Sequence, residues 1–158
     1  CIYWALCVPR TGIRHFMIIP LEIQKSRYMN LTKTQQIFNL SCPFSNPYQG
    51  SAPRYLFVCS AGLLRSATAA VVGTQLGYNT RSCGSEEYAL IPLSVNLIEW
   101  ANKIVFVNEY NYMGALATYA PLPEYVEMIK AKAIIWEIED EYDYMSPILR
   151  QRITELLT

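Results

Sequence analysis

Tyr55-Leu56-Phe57-Val58-Cys59-Ser60-Ala61-Gly62-Leu63-Leu64-Arg65-Ser66 is the stretch on which the rest of the chain is arranged. Residues 55–58 are aromatic, β-branched or aliphatic without a polar interruption, the pattern of a strand buried on both faces of a parallel sheet. After Arg65 the run Ser-Ala-Thr-Ala-Ala-Val-Val repeats at helical spacing. The junction therefore predicts strand, short loop and helix. Such a junction aims backbone N–H groups and the positive helix end at one point, which stabilises a bound anion and equally a thiolate.

Inside that junction the side chains suit phosphoryl chemistry. Cys59 is expected to be an attacking thiolate. Arg65 lies six positions on, close enough for its planar fork to fold back over the loop and take two phosphoryl oxygens. Ser66 can donate a hydroxyl hydrogen bond to the sulfur, and Gly62 permits the positive φ that a tight anion-binding loop needs. The backbone of Ser60, Ala61, Gly62, Leu63, Leu64 and Arg65 would hold the phosphate. The plain alternative is a buried structural cysteine followed by a surface arginine at a helix start.

The stretch VCSAGLLRS resembles the active-site loop of low-molecular-weight protein tyrosine phosphatases, V-C-x-G-N-x-C-R-S. Other phosphatase families with this cysteine-to-arginine spacing have His before the cysteine and an upstream acid. Here Val58 precedes Cys59 and the acidic candidates lie downstream. The likeness spans residues 54–157 and suits a compact, phage- or bacterial-type variant. It implies an α/β three-layer sandwich with a four-stranded parallel sheet, of the phosphotyrosine phosphatase I-like kind. The family's asparagine in the loop is Gly62 here, its second loop cysteine is Leu64, and the serine that buttresses the loop aligns with Ser82.

Composition bounds the alternatives. A chain of 158 residues with 52% hydrophobic content can bury one sizeable core. Thirteen basic and thirteen acidic residues cancel, leaving no basic field for nucleic acid. Five cysteines, at positions 1, 7, 42, 59 and 83, are odd in number and lack metal-ligand spacing, which favours a reduced, cytoplasmic thiol set. The apolar runs 1–9 and 16–23 are too short to span a bilayer, so no membrane association is expected.

Residues 1–52 read as an N-terminal extension with a short helix and a loop, and 53–158 as the phosphatase-like domain. Met29 is a candidate natural start, and His15, the lone histidine, falls before it. Thr32-Lys33-Thr34-Gln35 resembles a capping box opening a helix through Leu40, and 41–53 is a Pro/Ser/Asn/Gly-rich connector. Beyond the central loop the spacing predicts a helix to about Gln75 with Gly77 as its stop, and a strand over 78–81 closed by a loop Ser82-Cys83-Gly84-Ser85. Further on come a helix over 93–101, a strand over 103–107 and a helix over 109–120. Residues 121–130 read as a connection or short helix, 131–138 as a strand, and Ser146-Pro147 as the start of a last helix. In open sheets ligands sit beyond the carboxyl ends of strands, so Cys59 and the acidic run after the fourth strand can meet at one rim.

That run is Glu139-Asp140-Glu141-Tyr142-Asp143-Tyr144. The family places its general acid here in an Asp-Pro-Tyr phrase. The resemblance assigns Asp140 as the acid, with Asp143 as second candidate, and Tyr142 as the aromatic against the substrate ring. Glu141 stands where the family has proline. The implied reaction is hydrolysis of phosphotyrosine proteins or aryl phosphates through a phosphocysteine intermediate, with no cofactor or metal. Two other readings stay open: a catalytically impaired phosphate- or phosphotyrosine-binding interaction module, and an arsenate reductase. The thioredoxin-coupled reductases need two cysteines downstream, and only Cys83 follows Cys59.

Overall fold

The computed structural model describes residues 51–158. Met29, His15, the 32–40 helix and most of the 41–53 connector lie outside the described residues. Four strands form one all-parallel sheet in the order β2-β1-β3-β4: β1 (Arg54–Cys59), β2 (Asn79–Gly84), β3 (Lys103–Phe106) and β4 (Ala133–Ile135). Helices α1 (Arg65–Gln75), α2 (Val95–Trp100), α3 (Glu109–Tyr119), α4 (Pro123–Lys132) and α5 (Pro147–Leu157) cover it. This is the three-layer α/β sandwich expected from the sequence.

Strand alternation divides the apolar residues between two faces. Leu56, Val58, Ile104 and Phe106 pack with Leu97, Ile98, Trp100, Ala115 and Ile129, from α2, α3 and α4. Phe57 and Val105 pack on the opposite face with Ala69, Val72, Leu149 and Ile153, from α1 and α5. Continuous hydrophobicity in β1 thus reflects burial from both sides. Trp100 is core, as expected, with the Arg81 guanidinium 4.3 Å from its ring centroid.

Three elements differ from the sequence reading. β2 runs on through Gly84, because Ser82, Cys83 and Gly84 continue the parallel register against Phe57, Val58 and Cys59. Pairing with a buried strand overrides the turn propensity of Ser and Gly. Residues 123–132 form a full helix opened by Pro123, so β4 shrinks to three residues. Trp136 and Ile138 still donate to the carbonyls of Phe106 (2.8 Å) and Val107 (2.9 Å), and this carries the chain on to the rim at Asp140. Ser146 takes the N-cap position of α5 without a side-chain cap bond.

Among the described residues no helix is long and apolar enough to cross a membrane, and no group of three or more His, Cys, Asp or Glu is placed to hold a metal ion.

Candidate active site

The loop between β1 and α1 closes on its own cysteine. The Gly62 N–H donates to Cys59 Sγ at 3.1 Å, and Ser66 Oγ lies 3.0 Å from the same sulfur. Two dipoles thus converge on an atom whose residue is only 3% exposed. α1 begins after Leu64, which supplies no side-chain cap, so the first-turn N–H groups face the same loop without a side-chain acceptor at the cap.

The direction of the loop amides follows from where their carbonyls are anchored. The carbonyls of Cys59, Ser60 and Ala61 accept from the N–H groups of Ser85 (2.8 Å), Glu86 (3.2 Å) and Leu90 (3.3 Å) in the loop between β2 and α2. A trans peptide places its N–H opposite its carbonyl. With those carbonyls held outward, the N–H groups of Ser60, Ala61 and Gly62 turn to the other side, where the Gly62 N–H meets sulfur.

Two glycines allow this close packing. Gly62 has φ +78°, and a Cβ there would lie 3.0 Å from the Cys83 carbonyl carbon and 3.1 Å from the Gly84 nitrogen. A Cβ on Gly84 would collide with the Ser60 carbonyl oxygen and the Ala89 methyl group. Glycine at position 62 therefore lets the loop rest on β2.

Arg65 is buried and reaches across to the segment after β4. Its Nη1 donates to the Ile138 carbonyl at 3.0 Å, and its Nη2 pairs with Asp140 Oδ1 at 2.9 Å. Asp140 itself is exposed. Asp143 is exposed too, and its carbonyl accepts from the Ser146 N–H (3.1 Å) in the turn that opens α5. Met145, at φ 60°, donates its N–H to Thr68 Oγ1 (3.0 Å), tying this segment back to α1. Tyr142 is half-buried against the cluster of Phe57, Trp136 and Leu149, whereas Tyr144 is exposed. The contacts fall into two sets, Cys59 with Gly62 and Ser66, and Arg65 with Ile138 and Asp140. Leu63 and Leu64 are exposed at the loop's edge.

Cys83 lies one strand over, paired with Val58, and is fully buried. Burial, and then the neighbouring Cys59 charge, push its thiol up, out of the range in which thiolates form near neutrality. Ser82 pairs with Phe57, deeper in the sheet than the rim pair Cys59–Gly84. The β2-side serine bonded to the loop is Ser85, whose N–H donates to the Cys59 carbonyl. With Asn111 of α3 it forms a network the sequence reading missed: Asn111 Nδ2 donates to Ser60 Oγ and to Ser85 Oγ, each at 3.0 Å. Its signal in the sequence was positional, since the first turn of the helix after β3 must sit at the rim where Cys59 ends β1.

No protein-family model and no curated protein matches the chain. Three solved structures are similar to it. They are a YwlE mutant from Bacillus subtilis (17% identity, TM-score 0.47, over 67% of this chain and 94% of that one), the YwlE arginine phosphatase from Geobacillus stearothermophilus (19%, TM-score 0.48, over 66% and 88%), and a YwlE arginine phosphatase cysteine-to-serine mutant with a phosphorylated active site serine (17%, TM-score 0.45, over 66% and 90%).

Proposed function

We propose that the protein is a cysteine-dependent phosphomonoesterase that hydrolyses aryl phosphates, phosphotyrosine in proteins being the substrate class. The observation that carries this reading is the sulfur of Cys59 held by the Gly62 N–H and Ser66 Oγ at the mouth of a loop whose arginine is paired with Asp140. The loop's resemblance to low-molecular-weight tyrosine phosphatases supports it.

The steps follow from the parts. The substrate phosphoryl group displaces Asp140 from Arg65 and takes the guanidinium fork and the loop N–H groups with its oxygens. The Cys59 thiolate attacks phosphorus, an S–P bond forms and the P–O bond to the aryl group breaks. Asp140, as general acid, gives a proton to the departing oxygen and is left as a carboxylate. Water then attacks the phosphocysteine, Asp140 takes the water's proton, and the sulfur leaves with the Ser66 hydroxyl hydrogen-bonded to it. Inorganic phosphate and the free thiolate remain.

Asp140 is the acid in this reading rather than Asp143, because it is the carboxylate joined to Arg65. The exposed Leu63 and Leu64 offer an apolar edge that suits an aromatic ring better than a guanidinium. Tyr142 or Tyr144 would meet the ring from the opposite segment. The buried, high-lying Cys83 thiol does not suit the relay an arsenate reductase needs.

The test is hydrolysis of p-nitrophenyl phosphate and of matched phosphotyrosine and phosphoarginine peptides by the parent and by Cys59→Ser. The expected result is turnover of the aryl substrates, loss of it in Cys59→Ser, and a trapped phosphocysteine on rapid quenching. Preference for phosphoarginine would overturn the substrate class. An inert parent that still binds phosphotyrosine would convert the reading to a binding module.

A further inference from the structure

We propose that Asn111 is a positioning residue for the anion-binding loop, acting through Ser60. The proposal rests on the reading of Cys59 as the reactive centre of that loop.

Asn111 is fully buried at the third position of α3, with its own backbone N–H fixed to Asn108 Oδ1 at 2.9 Å. Its Nδ2 uses both hydrogens, one on Ser60 Oγ and one on Ser85 Oγ. These serines come from different parts of the chain, 51 and 26 residues away from it. They are also the residues at which the two loops touch. The Ser85 N–H holds the Cys59 carbonyl at 2.8 Å, and the Ser60 carbonyl is held by the Glu86 N–H at 3.2 Å. Asn111 therefore clamps a junction whose other bonds fix the peptide planes on either side of Ser60.

Those planes decide where the Ser60 and Ala61 N–H groups point. Gly62 has no side chain with which to brace the loop from within, so bracing has to come from outside it. A rigid helix turn supplying both hydrogen bonds of one amide sets the loop's first residues without placing any group of its own against a bound oxyanion. Asn111 thereby acts on binding and rate through the donors it aligns.

Alkylation of Cys59, read by peptide mapping, tests this without turnover. Iodoacetate carries a carboxylate that the loop donors attract, whereas iodoacetamide is neutral. The ratio of their rates at Cys59 reports donor alignment. General loosening of the fold would speed both reagents and would not lower the ratio. In Asn111→Ala the ratio should fall by about tenfold, a fraction of the loss seen when an oxyanion donor is removed outright. Ser60→Ala, which breaks one of the two hydrogen bonds, should fall by as much or less, and the double variant no further than Asn111→Ala, because the Ser60 linkage is already lost there. An unchanged ratio in Asn111→Ala, or losses that multiply in the double variant, would overturn the proposal. If Asn111→Ala does not fold, Ser60→Ala at its half-buried site decides the matter alone, and a parental ratio there rejects it. A parent that is inert toward aryl phosphates yet shows these ratios would sink the phosphatase reading and leave the positioning role standing.

Discussion

Asp140 serves both halves of the proposed cycle, as acid and then as base, whereas Ser66 assists only the departure of sulfur in the second, so their removal should be separable. The Asp140 carboxylate is exposed although its Arg65 partner is buried, and the amide oxygen of an asparagine can still accept from Nη2. Asp140→Asn should therefore leave the melting temperature nearly unchanged while slowing substrates with poor leaving groups by about 10²–10⁴-fold, and good leaving groups far less. The same comparison on Asp143→Asn should show little discrimination, and a larger effect there would reassign the acid. Ser66 Oγ touches the sulfur that must depart in the second step. In Ser66→Ala rapid-quench experiments should show a preserved burst followed by a slower steady state, with phosphocysteine accumulating. A lost burst would place Ser66 in the attack step instead. The contacts of Cys59 with Gly62 and Ser66 are legible because all three lie within one local motif whose spacing implies its geometry. Those of Asn111 and Ser85 are not, because they exist only once α3 and the end of β2 have been brought to the loop.

At the scale of elements, the end of β2 governs the shape of the loop. The sequence Ser82-Cys83-Gly84-Ser85 carries turn residues that favour a loop, yet Ser82, Cys83 and Gly84 are claimed by parallel pairing with β1. Gly84 is there because the Ser60 carbonyl and the Ala89 side chain occupy the space a methyl group would need. Gly84→Ala should lower stability by about 1–3 kcal/mol in urea unfolding, the range for overpacking a well-filled site. Activity should fall beyond that, since the displaced neighbours belong to the anion-binding loop. Parental stability in this variant would mean that the loop yields freely. The fourth strand departs in the opposite sense, forming where expected but over fewer residues. Ala131 to Ile138 reads as one β-branched and aromatic run, but α4 extends through Lys132, whose ammonium donates to the Ile98 carbonyl at 2.7 Å. A helix C-terminal cation satisfying a carbonyl of the neighbouring helix is a tertiary contact, invisible to local propensity.

Across the whole molecule, the parallel order brings four chain segments to one end of the sheet: the loop after β1, the Ser85–Leu90 loop after β2, the first turn of α3 after β3, and the Asp140 segment after β4. The alternation of strands and helices made that convergence readable from the sequence, although the partners within it were not. An oxyanion held there contacts a constellation that exists only in the folded chain, so binding must raise global stability by mass action. Saturation with inorganic phosphate at about 100 times its dissociation constant should add about 2.7 kcal/mol, a rise on the order of 5–10 °C in melting temperature for a chain of this size. Arg65→Ala should abolish the rise, since the loop then lacks its guanidinium. Asp140→Asn should enlarge it at subsaturating phosphate, because the carboxylate that occupies Nη2 competes with the ligand for the same fork. A rise that is equal in the parent and in Arg65→Ala would mean that phosphate binds elsewhere. A smaller rise in Asp140→Asn would mean that the carboxylate helps to hold the fork ready rather than blocking it.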